Sequence, residues 1–183
     1  MKYFLSGIIL FQLFGFPSLG HADTKVYFSP NGGCQEAVIS ETSHAQKSID
    51  IAMYSFTSRE IAQELVKAKD RGVKVRIVLD KGQKTEEYSK SRYLTSKGID
   101  VKFHFDPGLM HNKFAEIDGR VLLTSSFNWT ASADQRNEEN LLVLSDNEVI
   151  KKYSERFEYL WKGSGDGDFK EEQSEGMDKN TEG

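Results

Sequence analysis

The apolar residues of this chain form two kinds of segment, short runs typical of strands and longer stretches with helical spacing, and the two kinds alternate. Short apolar runs with the character of strands occur at six places: "KVYF", "IDIAMYSF", "VKVRIVL", "IDVKFHF", "KFAEI" and "VLLT". Segments with helical spacing are "CQEAVISETSHAQKS", "REIAQELVKAKDRG", "TEEYSKSRYLTSKG" and "EVIKKYSERFEYLWKG". Strands that alternate with helices predict an α/β sandwich with a largely covered sheet. The chain shows no internal repeat.

Polar residues at the helix boundaries support this division. The sequence from Thr57 to Glu60 has the form of a capping box, and Gly72 is placed to end the helix that it opens. The residues from Ser145 to Glu148 predict a second cap, in front of the last helix.

The strongest turn signal is Asp118-Gly119, a pair typical of two-residue hairpin loops. Such a loop fixes the pairing of the flanking strands as Ile117 with Arg120, Lys113 with Thr124, and His111 with Ser126. Because residues two apart share a strand face, His111 and Lys113 point the same way while Phe114 packs opposite. The hairpin is therefore expected to bring Ser126, with Asn128 just beyond it, to the His111 end.

Asp118 is predicted at the other end of the same hairpin. At about 3.3 Å per residue it lies roughly 20 Å from His111, too far to touch the same small ligand. We interpret it as a turn-forming residue and a structural support.

The two ends of the chain differ from the body in composition. Lys2, an apolar run and small residues before Asp23 predict a secretory signal peptide over residues 1–22, and hence a periplasmic or secreted protein; an uncleaved N-terminal anchor is the alternative. No later segment is long and apolar enough to cross a bilayer, so stable membrane insertion is not expected after cleavage. Residues 164–183 hold seven acids and two bases, which predicts a disordered acidic tail after a single domain at 23–163.

The cysteine count, the absence of metal-ligand spacing and the distribution of basic residues limit the kinds of site that the chain can form. Cys34 is the single cysteine, so no intrachain disulfide can form and a small buried thiol is expected. No cluster of His, Cys and Asp has metal-ligand spacing, and neither a metal nor another cofactor is predicted. Residues 67–102 carry eleven Lys or Arg against five Asp or Glu, which indicates either a phosphate-facing surface or an ordinary mixed helical face.

The residues gathered by the hairpin suit one kind of chemistry. Lys113 is a point cation for phosphate, while Ser126 and Asn128 donate hydrogen bonds to nonbridging oxygens. His111 can attack phosphorus or transfer a proton. The pattern therefore indicates a phosphoryl-transfer site.

The same residues carry a family resemblance. The series H-x-K, four residues, D, six residues and S-x-N resembles the HKD motif of the phospholipase D superfamily, and "HNKFAEID" and "SSFNWT" are most similar to the secreted single-domain endonucleases of the bacterial Nuc type. "FSPNGG" and "IDIAMYSFTSREIAQEL" extend the resemblance over nearly all of the body. It implies a phospholipase D-like sandwich, with a mixed sheet flanked by helices on both faces and one HKD motif per chain.

The resemblance also implies a downstream carboxylate that orients the nucleophilic histidine. Glu138 and Glu139 are the candidates, and family spacing selects Glu139, which would fix the imidazole tautomer. Ser125 departs from the family, which usually has Gly before the motif Ser. If that Gly adopts a positive backbone dihedral or approaches the phosphate closely, Ser125 would reduce activity.

Three functions follow as hypotheses. The leading one is a metal-independent phosphodiesterase that cleaves DNA, with RNA also considered, through a phosphohistidine. The alternatives are a lipid phosphodiesterase, for which no loop long enough to form an obvious apolar lip is evident, and an inactive nucleic-acid-binding relative. Because longer superfamily members carry two H-x-K motifs and this chain has one, we expect a homodimer that places His111 of each subunit across a shared cleft.

Overall fold

The structure is a computed structural model that describes residues 23–166. The predicted signal peptide at 1–22 and all but the first three residues of the predicted acidic tail lie outside the described residues. Within the described range, no helix is long and apolar enough to cross a membrane.

The described residues form one eight-stranded sheet. Its strands are β1 (Thr24–Ser29), β2 (Ser48–Met53), β3 (Lys74–Asp80), β4 (Asp100–His104), β5 (Lys113–Ile117), β6 (Val121–Ser125), β7 (Glu139–Leu144) and β8 (Gly165–Asp166). The spatial order is β1-β7-β6-β5-β2-β3-β4-β8. The pairs β2–β3 and β3–β4 are parallel and the other neighbours are antiparallel, which confirms the predicted mixed sheet.

Helices cover both faces of this sheet. They are α1 (Cys34–His44), α2 (Arg59–Asp70), α3 (Ser91–Ser96), α4 (Ala131–Gln135) and α5 (Asn147–Gly163), with a 3₁₀ helix at Lys81–Lys84. Buried residues of α1 to α4 pack with one face of the sheet in the larger core cluster. On the other face α5 contributes Ile150, Phe157 and Leu160 to a second cluster. The expected sandwich is confirmed, and Cys34 is buried within it as a free thiol.

Successive residues of one strand belong to different core clusters, because both faces of the sheet are buried. In β5, Ala115 and Ile117 belong to the larger cluster, while Phe114 belongs to the cluster under α5. This is the period-two alternation of a strand that is covered on both sides. Phe114 and Lys113 therefore lie on opposite faces of the strand, as predicted.

The hairpin prediction was wrong by one residue. Asp118 and Gly119 do form the turn, with φ of 57° and 65°, and Arg120 N donates to Ile117 O at 3.0 Å. However, Ile117 pairs with Val121, and Phe114 pairs with Thr124, because Arg120 is an extra residue on the second strand. The predicted register would have set Arg120 into the ladder opposite buried Ile117. The observed register instead brings Val121 against the core and leaves Arg120 exposed.

Other boundaries also differ from the predictions. Ser58, rather than Thr57, caps α2 by accepting from Ile61 N at 3.3 Å, and Asp146, rather than Ser145, caps α5. The helix predicted over "TEEYSKSRYLTSKG" shrinks to α3, because exposed residues fill its first half and Leu94 is its one fully buried apolar side chain. Both β7 and α4 were missing from the predicted elements. The sheet also continues past residue 163, where Gly165–Asp166 pairs with β4.

Candidate active site

The candidate site lies at one edge of the sheet, where several strands begin or end together. Lys113 begins β5, Ser125 ends β6 and Glu139 begins β7. Because β5, β6 and β7 are successive antiparallel neighbours, these three ends meet at the same edge. Tyr54, which directly follows β2, joins them through a hydrogen bond from its N–H to Asn112 O at 2.9 Å.

Lys113 is the charged centre of this edge. Lys113 is 7% exposed. Its ammonium donates to His111 O at 2.8 Å and lies 4.9 Å from the centre of the Tyr54 ring. Burial lowers the pKa of Lys113, and the nearby Glu139 carboxylate acts in the opposite direction. An ammonium has three N–H donors, so Lys113 keeps donors for a phosphate oxygen.

His111 is exposed, and fixed backbone lies on both sides of it. Met110 is buried and its N–H donates to Asp80 Oδ2 at 2.9 Å, while Asn112 accepts the hydrogen bond from Tyr54. The imidazole lies 4.5 Å from the Tyr54 ring, centre to centre, with the ring planes inclined at 56°. The structure thus presents an accessible imidazole beside a buried cation.

Glu139 contacts Ser126 and not His111. Ser126 Oγ donates to Glu139 Oε2 at 2.5 Å and accepts from Asn140 N at 3.1 Å, while Asn137 Nδ2 donates to Glu139 Oε1 at 3.1 Å. Among the described residues, the expected hydrogen bond from the imidazole to Glu139 is not formed. Both carboxylate oxygens of Glu139 are engaged by the side chains of Ser126 and Asn137 instead.

The hairpin shift changes the position of Ser126 as well. Its N–H donates to Asn140 O of β7 at 3.2 Å, so it continues the β6–β7 ladder and does not face His111. Ser125, rather than Thr124, lies beside Lys113, and its hydroxyl donates to Lys113 O at 3.3 Å. Ser126 must leave Glu139 before it can donate to a phosphate.

Ser125 itself does not need the backbone freedom of glycine. Among the described residues other than glycine, only Asn31 and Asp118 have positive φ, so Ser125 is in an ordinary conformation. Its side chain is accommodated by hydrogen bonds to Lys113 O and Phe127 O. The dihedral argument for an inactive relative is therefore removed, whereas the close approach of a phosphate to Ser125 stays a prediction.

Asn128 is held between two core residues. Phe127 and Trp129 on either side are 0% and 2% exposed. Asn128 Oδ1 is buried and has no hydrogen-bond partner among the described residues. Buried polar atoms rarely remain unpaired, so this oxygen is open to a hydrogen bond from a donor, such as water; it cannot bind a phosphate oxygen, which is itself an acceptor.

Asp118 lies at the far end of β5, as predicted, and supports the fold. Its carboxylate accepts from the backbone N–H groups of Gln46, Lys47 and Ser48, the shortest at 2.7 Å. Burial acts to raise the pKa of Asp118, but these hydrogen bonds outweigh it, and the pKa lies below its usual range.

Two features of the site were not found in the sequence. Phe56 and Trp129 are core residues, whereas Tyr54 is half-buried against His111 and Lys113. The second feature is a pair of exposed apolar side chains, Phe105 and Leu109, which are 49% and 64% exposed in the loop that leads to His111. We call this pair the lip.

The described residues contain no group of three or more His, Cys, Asp or Glu side chains placed to hold a metal ion. The arrangement brings an exposed imidazole and a buried ammonium together at one edge. These groups suit a displacement at phosphorus.

Comparisons with known proteins agree with this geometry. The family model described as cardiolipin synthase, PLD-like domain, matches residues 38–161. A phospholipase D of Rickettsia conorii is 36% identical over 135 residues, which are 74% of this chain and 68% of that protein. The human mitochondrial cardiolipin hydrolase is 39% identical over 117 residues, which are 64% of this chain and 46% of that protein.

Solved structures show the same fold. Nuc from Salmonella typhimurium, a phospholipase D family member, has a TM-score of 0.76 and 31% identity, over 80% of this chain and 99% of that one. NucT from Helicobacter pylori has a TM-score of 0.72 and 27% identity, over 79% of this chain and 98% of that one. The chain belongs to the phospholipase D superfamily and is a phosphodiesterase of that superfamily.

Proposed function

We propose that this phosphodiesterase is an endonuclease that hydrolyses DNA, without a metal ion, in the periplasm or outside the cell. The observation that carries the proposal is the exposed His111 imidazole beside the buried Lys113 ammonium, which donates to His111 O at 2.8 Å. The likeness to Nuc over almost the whole of that chain supports the choice of a nuclease.

The proposed reaction has two displacements at phosphorus. An unprotonated ring nitrogen of His111 attacks phosphorus, an N–P bond forms, and the bond from phosphorus to the leaving oxygen breaks. The leaving oxygen takes a proton from a second, protonated histidine. Water then attacks the phosphohistidine, gives its proton back to that second histidine, and the N–P bond breaks. Lys113 holds the negative charge of the phosphate throughout.

The second histidine is proposed to be His111 of another copy of the chain. A two-fold axis through the cleft would place both copies of His111, Lys113 and Asn128 around one phosphate. The position of His111 supports this arrangement, because an exposed residue at the sheet edge can approach its symmetry mate.

Lipid phosphodiester hydrolysis is a second candidate, favoured by the lip. Lys81 Nζ donates to Asp106 O at 3.4 Å and Lys84 Nζ lies 5.9 Å from the Phe105 ring centre, so two cations lie on the Phe105 side of the lip. Exposed apolar groups beside lysines are suited to the surface of an anionic bilayer.

Parallel assays distinguish these functions. Wild-type protein and His111→Ala are incubated in EDTA with single-stranded DNA, duplex DNA and phospholipid vesicles. We expect DNA cleavage by the wild type and a loss of about 10³-fold or more in the variant. Activity that disappears in EDTA and returns with zinc or magnesium would contradict the metal-free mechanism.

The lip is tested in the same assay. Vesicle hydrolysis that exceeds DNA cleavage, and that is lost in the double variant Phe105→Ser with Leu109→Ser, would replace DNA by lipid as the substrate. Val26→Ser with Phe28→Ser removes a comparably exposed apolar pair from β1 and serves as the matched control.

A further inference from the structure

The His111 imidazole lacks the carboxylate that the family pattern leads one to expect beside it. Both oxygens of Glu139 accept hydrogen bonds from other side chains, Ser126 and Asn137. In the described part of the chain, neither nitrogen of His111 has a hydrogen-bond partner. A nucleophile needs a defined direction of attack, and within one chain a group that packs against this ring can help to set it.

The Tyr54 ring is placed to do so. It is the aromatic neighbour of the His111 ring at 4.5 Å, and an inclination of 56° is a common packing geometry for such pairs. The backbones are tied as well, because Tyr54 N donates to Asn112 O at 2.9 Å and so extends the β2–β5 ladder past Met53 and Lys113. The ring and the imidazole are therefore held on adjacent, hydrogen-bonded segments.

The same ring also contacts the cation. Lys113 Nζ lies 4.9 Å from the Tyr54 ring centre and donates to the carbonyl of His111 at 2.8 Å. A cation over an aromatic face is attracted to it, most strongly where water is partly excluded, and Lys113 is buried. Tyr54, His111 and Lys113 thus form a closed triangle in which each member contacts the other two.

We propose that Tyr54 is a positioning residue, whose ring orients the His111 imidazole and fixes the Lys113 ammonium for attack on phosphorus. The inference deepens the proposed function and rests on it. The ring carries the role and the hydroxyl does not, since both contacts are made by the ring. Its ring contacts both the nucleophile and the cation.

Substitutions at Tyr54 separate the ring from the hydroxyl and from bulk. Tyr54→Phe keeps the ring, Tyr54→Leu removes it, and Tyr54→Met fills the space with a flexible chain. The assay follows hydrolysis of bis(p-nitrophenyl) phosphate, a small phosphodiester that is neither DNA nor lipid. Tyr93→Leu is the matched control. Tyr93 lies on α3, is also partly exposed, and has its ring centre 5.9 Å from the ammonium of Lys97.

We expect Tyr54→Phe and Tyr93→Leu to stay within about twofold of the wild-type kcat. Tyr54→Leu and Tyr54→Met should lower kcat by about 10- to 100-fold with little change in KM, because a misdirected nucleophile slows the chemical step more than binding. A second measurement needs no turnover: the ring protons of His111, observed by NMR, should keep their ring-current shift in Tyr54→Phe and lose it in Tyr54→Leu.

The outcomes are distinct. Wild-type kcat in both Tyr54→Leu and Tyr54→Met would overturn the positioning role, and so would a large loss in Tyr54→Phe, which would assign the role to the hydroxyl. A lowered kcat with an unchanged ring-current shift would also contradict it. Full activity of His111→Ala on the same substrate would instead refute the proposed function. If Tyr54→Leu fails to fold, Tyr54→Met decides.

Discussion

At the scale of single residues, the carboxylate of Asp118 serves the fold from within the HKD motif. It accepts hydrogen bonds from the backbone of Gln46, Lys47 and Ser48 and so ties the hairpin turn to the start of β2. Asp118 directly follows β5, and Lys113 is the first residue of that strand. The carboxylate thereby fixes the strand that carries the cation, without touching the site.

Asp118→Asn should destabilise the protein without disabling it. Asn tolerates the positive φ of this position, so the change removes the charge and one acceptor while keeping the turn. We expect a loss of roughly 1–2 kcal/mol in the free energy of unfolding at pH 7, measured by urea denaturation. The kcat measured well below the unfolding temperature should stay near wild type. Asp70→Asn, at an exposed position on α2, is the control and should change neither quantity.

The pH dependence of that loss has a defined sign. The folded pKa of Asp118 is lowered, so its stabilising contribution is complete above the ordinary Asp pKa of about 3.9 and disappears as the pH falls through the folded value. The difference between wild type and Asp118→Asn should therefore shrink in acid. A difference that stays constant or grows below about pH 3.9 would contradict this account of Asp118.

At the scale of elements, α5 packs over a row of charges in the centre of the sheet. Glu116, Asp50 and Arg76 are cross-strand neighbours on β5, β2 and β3. Ser154 of α5 donates to Glu116, and Arg76 contacts Asp50 and Glu158 at 2.7 Å each. Burial raises the pKa of Glu116, and the carboxylates of Asp50 and Glu158 raise it further, against the opposing effects of Ser154 and Arg76.

Glu116→Gln should therefore stabilise the protein at neutral pH. Because the folded pKa of Glu116 is raised, the penalty of its charge appears as the pH rises from the ordinary Glu pKa of about 4.3 through the folded value. We expect a gain of roughly 0.5–1 kcal/mol at pH 7 to 8 that vanishes below about pH 4, measured by thermal unfolding. Glu155→Gln, at an exposed position of α5, is the control. A gain that persists in acid would show that charge is not its origin.

The elements that could be predicted from sequence are those with a complete local signal. The strand at β3 is an apolar run, and α2 has a helical stripe with a cap at one end. The strand at β7 was missed although residues 141–144 are an apolar run, because its first two residues, Glu139 and Asn140, are polar and continue the polar segment before it. The hairpin register depended on one extra residue, Arg120, whose exclusion is decided by core packing and not by the turn.

At the scale of the whole molecule, the residues of the site also divide into those with a local sequence signal and those without one. His111, Lys113 and Asn128 could be proposed as site residues because the motif spacing lies within one hairpin and its continuation. Tyr54 and the lip could not, since β2 and the β4–β5 loop reach this edge only through the order of strands in the sheet. The position of Glu139 beside Ser126 has the same cause.

The central claim is that two copies of His111 act on one phosphate. Subunit mixing tests it most directly: wild type is co-refolded with increasing fractions of His111→Ala, and specific activity is measured per total chain. If both histidines are needed in one site, activity follows the square of the wild-type fraction, so an equal mixture retains about one quarter of the activity. A linear dependence, with about one half retained in the equal mixture, would show that each chain works alone and would contradict the shared site.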